Sequence, residues 1–577
     1  MNWISSKVWI SRRIGQLRQR EDQLLLILAL VIGALTGATV VAFILVTERL
    51  GMRLYPAGSG AWRRVLIPIL GSLGMGYLLF RYFPEARGSG VPQTKAALFA
   101  RDGVITARTA LGKFFCTAAT LASGIPLGRE GPSVQVGGGI ASILGRRLGL
   151  RPDKVKALIP VGAAAAIAAA FNTPLAAVLF SLEEIMGDLN APVLGSVVLA
   201  SATSWVVLRL LLGNSPLFHV PQYQLVHPVE FAIYGVLGVV GGFVSAAFTK
   251  LLLEMRNYFL KMPGWTRWFQ PVAGGLAAGL MGWFVPQVLG VGYGYVGDAL
   301  NGRMALQLMA LLVVLKLVAT TTSYSSGNAG GIFGPSLFIG AMFGGTVGSI
   351  AHGLFPSHTA TAGAYALVGM GAAFAGIVRA PMTSVVMIFE MTQDYAVIVP
   401  LMIANLVSFF ISSRLQHEPI YEALARQDGI HLPGGESRRS HGQRQVTEVV
   451  RAATEVMQAQ MSVHDALARA NQSHFHSWPV ADKRGVVGVI NLSRIEQAAA
   501  NGEGAKVLGD FVNATDFPHV HPDQPLHLAL ERMGAAKLDV LPVVSRANIH
   551  DLLGVVITRD VLGSYGVDHH PWGQSSQ

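Results

Sequence analysis

The hexapeptide Gly128-Arg129-Glu130-Gly131-Pro132-Ser133 returns 203 residues later as Gly331-Ile332-Phe333-Gly334-Pro335-Ser336. A longer match follows at nearly the same interval, 207 residues. The stretch VGAAAAIAAAFNTPLAAVLFSLEE from Val161 aligns with VGMGAAFAGIVRAPMTSVVMIFEM from Val368. That alignment places Pro174 opposite Pro381 and Glu183 opposite Glu390. Ala/Gly-rich runs match by accident, but a shared Gly-x-x-Gly-Pro-Ser with aligned proline and glutamate is not low-complexity. The chain is therefore built from two similar halves. Apolar segments broken by Gly and Pro at equivalent places are the pattern of repeat-built transporters, whose site lies where the repeats meet.

The membrane enters through composition. Of 577 residues 51% are hydrophobic and only 13% charged, against about 25% charged in soluble domains. Apolar runs lie near 24–46, 62–83, 104–127, 155–182, 192–213, 229–253, 270–290, 304–323, 332–352, 362–390 and 395–415. Several exceed the roughly 20 residues of a straight span, so helices should outnumber runs. Breaks are tolerated only where freed backbone groups are buried in protein or line a wet cavity. The 66 glycines suit close helix packing in lipid.

The net charge of +11 reads as topology. Lys7, Arg12, Arg13, Arg18 and Arg20 precede the first apolar run, which places the N-terminus in the cytoplasm. That run is too long for a signal peptide, and no small-residue cleavage site follows it. No basic segment is interleaved with aromatics, so nucleic acid is not an expected partner. The single Cys116 excludes an internal disulfide.

Leu121–Gly139 concentrates the chemistry. Glycines leave backbone amides uncovered, Pro132 suits a first helical turn, and a helix N-terminus attracts anions. Glu130 puts a carboxylate at that spot. It either occupies the anion position or, protonated, leaves it to another anion. The bland alternative is a buried Glu130–Arg129 ion pair at a helix end. Glu183 and Glu390 occur in both halves, which favours a scaffold role such as a helix-end contact. Glu184 aligns with Met391 and stands in one half only, which favours function.

These segments resemble the CLC chloride channels and transporters, over nearly the whole chain. The family's three anion motifs read Gly88-Ser89-Gly90-Val91-Pro92, Gly128-Arg129-Glu130-Gly131-Pro132 and Gly331-Ile332-Phe333-Gly334-Pro335, and a late tyrosine follows in His417-Glu418-Pro419-Ile420-Tyr421. The resemblance implies an all-α multi-span fold of two inverted-topology repeats with broken helices, about 24–213 and 229–421 within a transport domain of 1–426. It implies a central chloride held by the hydroxyls of Ser89 and Tyr421 and the amides of Ile332 and Phe333. The amides around Arg129, Glu130 and Gly131, with Gly334, would form an outer site. Such donors bind an anion without a full positive charge, so it can leave. Glu130 corresponds to the gating glutamate and Glu184 to the inner proton glutamate. Relatives that are passive channels typically carry an apolar residue at the latter place. The expected function is thus a secondary chloride/proton antiporter; the alternative is a passive chloride channel of the same fold. Serine at position 89 favours chloride over the fluoride or nitrate of relatives with methionine or proline there. The family also implies a homodimer with one pathway per subunit.

After Arg426 the composition turns soluble. Residues 427–445 read as a basic linker. In 446–577, Trp478-Pro479-Val480 with Gly485–Ile490 resembles Leu541-Pro542-Val543 with Leu552–Val556. This resembles a tandem of CBS domains, about 446–500 and 505–566, forming a small α/β cytoplasmic pair. Adenosine-binding copies carry Thr or Ser three residues after the glycine and Asp six after. The first copy has Asn491 and Arg494 there, the second Ile557 and Asp560, with Thr558 one place late. Dimerisation is the default reading; an adenine nucleotide is the minority one, and no other cofactor or metal is expected. The tail Asp568-His569-His570 reads as disordered rather than metal-binding. Neither H-E-x-x-H nor G-x-S-x-G occurs, so an enzyme is not expected. The bacterial inner membrane, with N-terminus and CBS pair cytoplasmic, is the expected location.

Overall fold

The computed structural model describes residues 21–56, 58–188, 193–213, 217–218, 220, 223, 225–432 and 444–565. The basic cluster from Lys7 to Arg20, most of the 427–445 linker and the Asp568-His569-His570 tail lie outside the described residues. The chain forms two compact units, Met1–Leu424 and Ala425–Gln577.

The first unit repeats one series of helices. The series α1 (Glu21–Leu54), α2 (Arg63–Arg81), α3 (Val91–Ala100), α4 (Ala107–Ala122), α5 (Glu130–Arg147), α6 (Pro152–Phe171), α7 (Pro174–Phe180) and α8 (Leu194–Leu212) comes first. In the same order follow α9 (Glu230–Lys261), α10 (Pro271–Phe284), α11 (Tyr293–Leu300), α12 (Leu306–Ser325), α13 (Phe333–Leu354), α14 (Ala362–Val378), α15 (Pro381–Thr392) and α16 (Ile398–Leu415). The short α17 (Ile420–Gln427) follows, and the first unit ends within it at Leu424. Among the described residues eight helices are long and apolar enough to cross a membrane. Helices do outnumber apolar runs: 155–182 divides into α6 and α7, and 362–390 into α14 and α15.

Local chemistry sets the breaks. Asn172 and Arg379, 207 residues apart, both take left-handed backbone (φ 61° and 67°) and end α6 and α14. Two residues on, Pro174 and Pro381 open α7 and α15, where a missing N–H costs nothing. Close crossings repeat as well. A Cβ on Gly137 would collide with the carbonyl of Gly162, and a Cβ on Gly340 with that of Gly369. Only glycine allows α5 against α6 and α13 against α14 at this distance.

Reciprocal contacts fix the relation between the halves. Glu183, near the end of the α7 segment, accepts from the amide (2.8 Å) and hydroxyl (2.7 Å) of Thr383 at the start of α15. Glu390, near the end of α15, accepts from the amides of Leu175 (2.9 Å) and Ala176 (2.7 Å) at the start of α7. Each helix end meets the other's beginning, so the two run antiparallel and the repeats are inverted. Both glutamates do scaffold work: a carboxylate on orphan first-turn amides stabilises a helix start by about 1 kcal/mol.

The second unit also repeats, at an interval of 63 residues. Its first copy holds β1 (Met457–Gln458), α18 (Val463–Ala470), β2 (Ser477–Asp482), β3 (Gly485–Asn491) and α19 (Leu492–Ala500). The second holds α20 (Leu526–Ala536), β4 (Val540–Val544), β5 (Leu552–Ile557) and α21 (Thr558–Ser564). The hairpins β2–β3 and β4–β5 are antiparallel. Met457 pairs in parallel with Val480, and Val520 in parallel with Val543. The copies join where Asp539 accepts from the amide of His476 and the hydroxyl of Ser477.

A histidine cluster lies in this unit. The rings of His431, His519 and His521 have centroids 5.2–5.9 Å apart, and the buried Arg546 donates to the carbonyl of His431 at 3.2 Å. Burial and the neighbouring guanidiniums push His521 down to about 2 and His431 to about 4; burial lowers His519 too. A folded value below the unfolded ~6.5 means that unfolding takes up protons as the pH falls below ~6.5, so acid destabilises this region. For the buried His521 the loss between pH 6.5 and pH 5 is about 2 kcal/mol; the half-exposed His431 adds less. Amide hydrogen exchange in the full chain should therefore show protection around 519–521 falling on acidification to pH 5, after correction for intrinsic rates. Replacing the three histidines with phenylalanine should flatten that dependence.

Candidate functional site

The three Gly-rich motifs, far apart in sequence, converge on one spot. The amides of Gly128 and Gly331 each donate to the other's carbonyl at 2.7 Å. Gly88 bridges to Ala329. A Cβ on Gly90 would strike the carbonyl of Gly131, and a Cβ on Gly131 would meet that of Ser89 at 2.5 Å. The motif glycines are needed because backbones touch here. α5 begins at Glu130 and α13 at Phe333, so two helix N-termini with orphan amides open at this junction. Ile332 sits just before α13, and Phe333 packs its ring against Phe171 (4.7 Å) and Phe374 (4.4 Å).

The carboxylate of Glu130 stands in the middle, fully buried. Its Oε2 accepts from the amide of Gly334 at 3.2 Å, and its Oε1 accepts from the phenol of Tyr293. Gly128 is required here too, because a Cβ on it would run into Oε2. Arg129 turns away from its neighbour. Its guanidinium reaches Glu48 of α1 at 3.6 Å and lies over the Tyr293 ring at 5.7 Å. The carboxylate partner of Arg129 is thus Glu48, and Glu130 keeps the amide of Gly334 and the phenol of Tyr293.

Ser89 and Tyr421 are both buried, 0% and 1% exposed, and among the described residues neither hydroxyl has a protein hydrogen-bond partner. A buried hydroxyl without a partner costs about 1–3 kcal/mol, so a hydrogen-bond acceptor such as an anion would satisfy both. Tyr421 opens α17 within electrostatic range of Glu184 and Glu130.

Glu184 follows Glu183 in a π-helical turn, Ser181–Met186. The two point to different partners. Glu183 caps α15 as above, whereas Glu184 meets Lys95 of α3 at 2.7 Å, with both side chains under 10% exposed. Lys95 is also 3.8 Å from Glu422 of α17. The structure therefore brings Ser89, Arg129, Glu130, Gly131, Gly334, Ile332 and Phe333 to one junction, with Glu184 beside α3 and α17.

Three contributors escaped the sequence reading. Tyr293 touches Glu130 directly. Lys113 of α4 donates to the carbonyls of Ala86 (3.0 Å) and Gly88; Lys316 of α12 donates to those of Val288 (2.9 Å) and Gly290 (2.6 Å). These lysines are 203 residues apart, the interval of the motifs, and each pins a Gly-x-Gly loop: Gly88-Ser89-Gly90 and Gly290-Val291-Gly292. The signal was present as two lysines inside apolar runs at the repeat interval.

In the CBS unit the side chains expected to meet a ribose are otherwise engaged. Asn491 caps α19 by accepting from the amide of Arg494 at 3.1 Å. Asp560 is paired with Arg451 at 2.6 Å.

Comparison with known proteins agrees with this geometry. The family model for the voltage gated chloride channel matches residues 71–413, and that for the CBS domain matches 508–566, the second copy. The H(+)/Cl(-) exchange transporter ClcA of Salmonella arizonae is 34% identical over 437 residues, 72% of this chain and 92% of the relative. Among solved structures, a slow cyanobacterial Cl-/H+ antiporter superposes with a TM-score of 0.64 at 27% identity, over 70% of this chain and 97% of its own. A eukaryotic CLC transporter shares the fold over 93% of this chain and 97% of its own, with a TM-score of 0.62 at 21% identity. By its family match, its inverted repeats and its converging motifs, the chain belongs to the voltage gated chloride channel family.

Proposed function

We propose that the protein is a secondary antiporter that moves chloride across the membrane in exchange for protons. The observation that carries this reading is the Glu130 carboxylate resting on the amide of Gly334 at the start of α13. A site that accepts a carboxylate at a helix N-terminus accepts a halide by the same donors. Ionised, Glu130 competes with chloride for that place. Protonated, it loses its charge, releases the amide and yields the position. Protons and chloride thereby alternate.

In this reading chloride rests between the hydroxyls of Ser89 and Tyr421 and the amides of Ile332 and Phe333. The outer position uses the amides of Arg129, Glu130, Gly131 and Gly334. Glu184 receives the proton on the inner side. Ser89 favours chloride, and bromide and nitrate follow because amides and hydroxyls discriminate poorly among weakly hydrated anions. The protein acts as a homodimer with one pathway per subunit, in a bacterial inner membrane, with N-terminus and CBS pair cytoplasmic. The CBS pair serves dimerisation rather than nucleotide sensing, because Asn491 and Asp560 are already committed.

The test is flux through liposomes containing the purified chain, read simultaneously with a chloride electrode and a pH dye. A chloride gradient alone should drive protons against their own gradient. Chloride movement without protons would make the protein a channel of the same fold, and absence of both would overturn the proposal.

A further inference from the structure

We infer that Tyr293 is a positioning residue for the gate: its phenol ties the ionised Glu130 carboxylate to the anion position and so sets how strongly that carboxylate competes with chloride. The inference rests on the gating role proposed for Glu130. Three observations carry it. The phenol donates directly to Oε1 while the amide of Gly334 donates to Oε2, so each carboxylate oxygen has its own donor. The ring is held on both sides, by Arg129 at 5.7 Å over its face and by Phe218 at 5.7 Å edge-on. Its backbone is held as well, because Tyr293 opens α11 directly after the Gly290-Val291-Gly292 loop that Lys316 pins.

The repeat gives this placement a meaning. Gly290-Val291-Gly292 stands 202 residues after Gly88-Ser89-Gly90, and each loop is held by the buried lysine of its own half. In the first half the loop delivers the hydroxyl of Ser89. In the second the residue after the loop delivers the phenol of Tyr293, where the first half has Val91. The two loops thus serve opposite ends of the exchange. One offers its hydroxyl to the transported anion, the other to the carboxylate that displaces it. A phenol that donates to a carboxylate holds it only while it is ionised; a protonated Glu130 accepts more weakly and is freed.

The test is a double-mutant cycle on the full-length protein, with chloride binding read by titration calorimetry. Tyr293→Phe removes one oxygen and keeps the ring. A hydrogen bond to a charged group is worth about 1.5–3 kcal/mol, so the variant should bind chloride about tenfold tighter, the carboxylate having become a weaker competitor. In the Glu130→Ala background the same substitution should change chloride affinity by less than about twofold. Equal changes in both backgrounds, or none with Glu130 present, would overturn the inference. Its failure is separable from that of the gate: if Glu130→Ala uncouples protons while Tyr293→Phe does nothing, only the role of Tyr293 falls. If Glu130→Ala leaves coupling intact, the gate itself falls.

Discussion

Replacing Glu130 with alanine is expected to leave chloride crossing the membrane while protons stop following it. Alanine removes the fully buried carboxylate that accepts from Gly334 and Tyr293. The helix starts at Glu130 and Phe333 remain, and with them the orphan amides that attract an anion. Nothing then competes for the position. Chloride affinity should rise by about tenfold or more, since the carboxylate gives up at least one charge-assisted hydrogen bond. Proton movement driven by a chloride gradient should fall to that of protein-free vesicles. Dual chloride and pH recording in liposomes separates the two quantities. Persistent proton coupling in the variant would remove Glu130 from the exchange cycle.

The parts of this arrangement visible in the sequence are those that leave a chemical mark at a fixed interval. Pro174 and Pro381 announce two helix starts, and the G-x-x-G-P-S pair announces two close backbone approaches. The reading of Glu183 and Glu390 as helix-end contacts followed from the same interval, and the reciprocal caps on α15 and α7 agree with it. What stayed hidden depends on folding distant segments together. Arg129 sits next to Glu130 in sequence yet meets Glu48, because the helix start points the two side chains to different sides. Tyr293 lies 163 residues from Glu130, directly after a loop whose likeness to Gly88-Ser89-Gly90 rests on two glycines alone. Lys95 gives no hint of Glu184, 89 residues on, since short α3 carries no long apolar run to mark it.

The second large effect is expected at Glu184. Its carboxylate meets the ammonium of Lys95 at 2.7 Å, both nearly out of contact with water, and Glu422 waits 3.8 Å from the same ammonium. In the proposed cycle a proton arriving at Glu184 neutralises the carboxylate that Lys95 holds, and Glu422 is the second carboxylate within reach of that cation. Glu184→Gln keeps the shape and removes the titrating group. Proton transport should fall to baseline while chloride still passes, because the amides and hydroxyls around Glu130 are untouched. A stability cost accompanies the change, since breaking a buried pair costs about 3–5 kcal/mol when one charge is left alone, although Glu422 offsets part of it here. Size-exclusion chromatography before reconstitution separates misfolding from lost function. A monodisperse Glu184→Gln variant that still pumps protons would assign Glu184 to the scaffold, beside Glu183. One that passes chloride alone would make the Lys95–Glu184–Glu422 cluster the inner proton entry, with Tyr421 in electrostatic range of both Glu184 and Glu130.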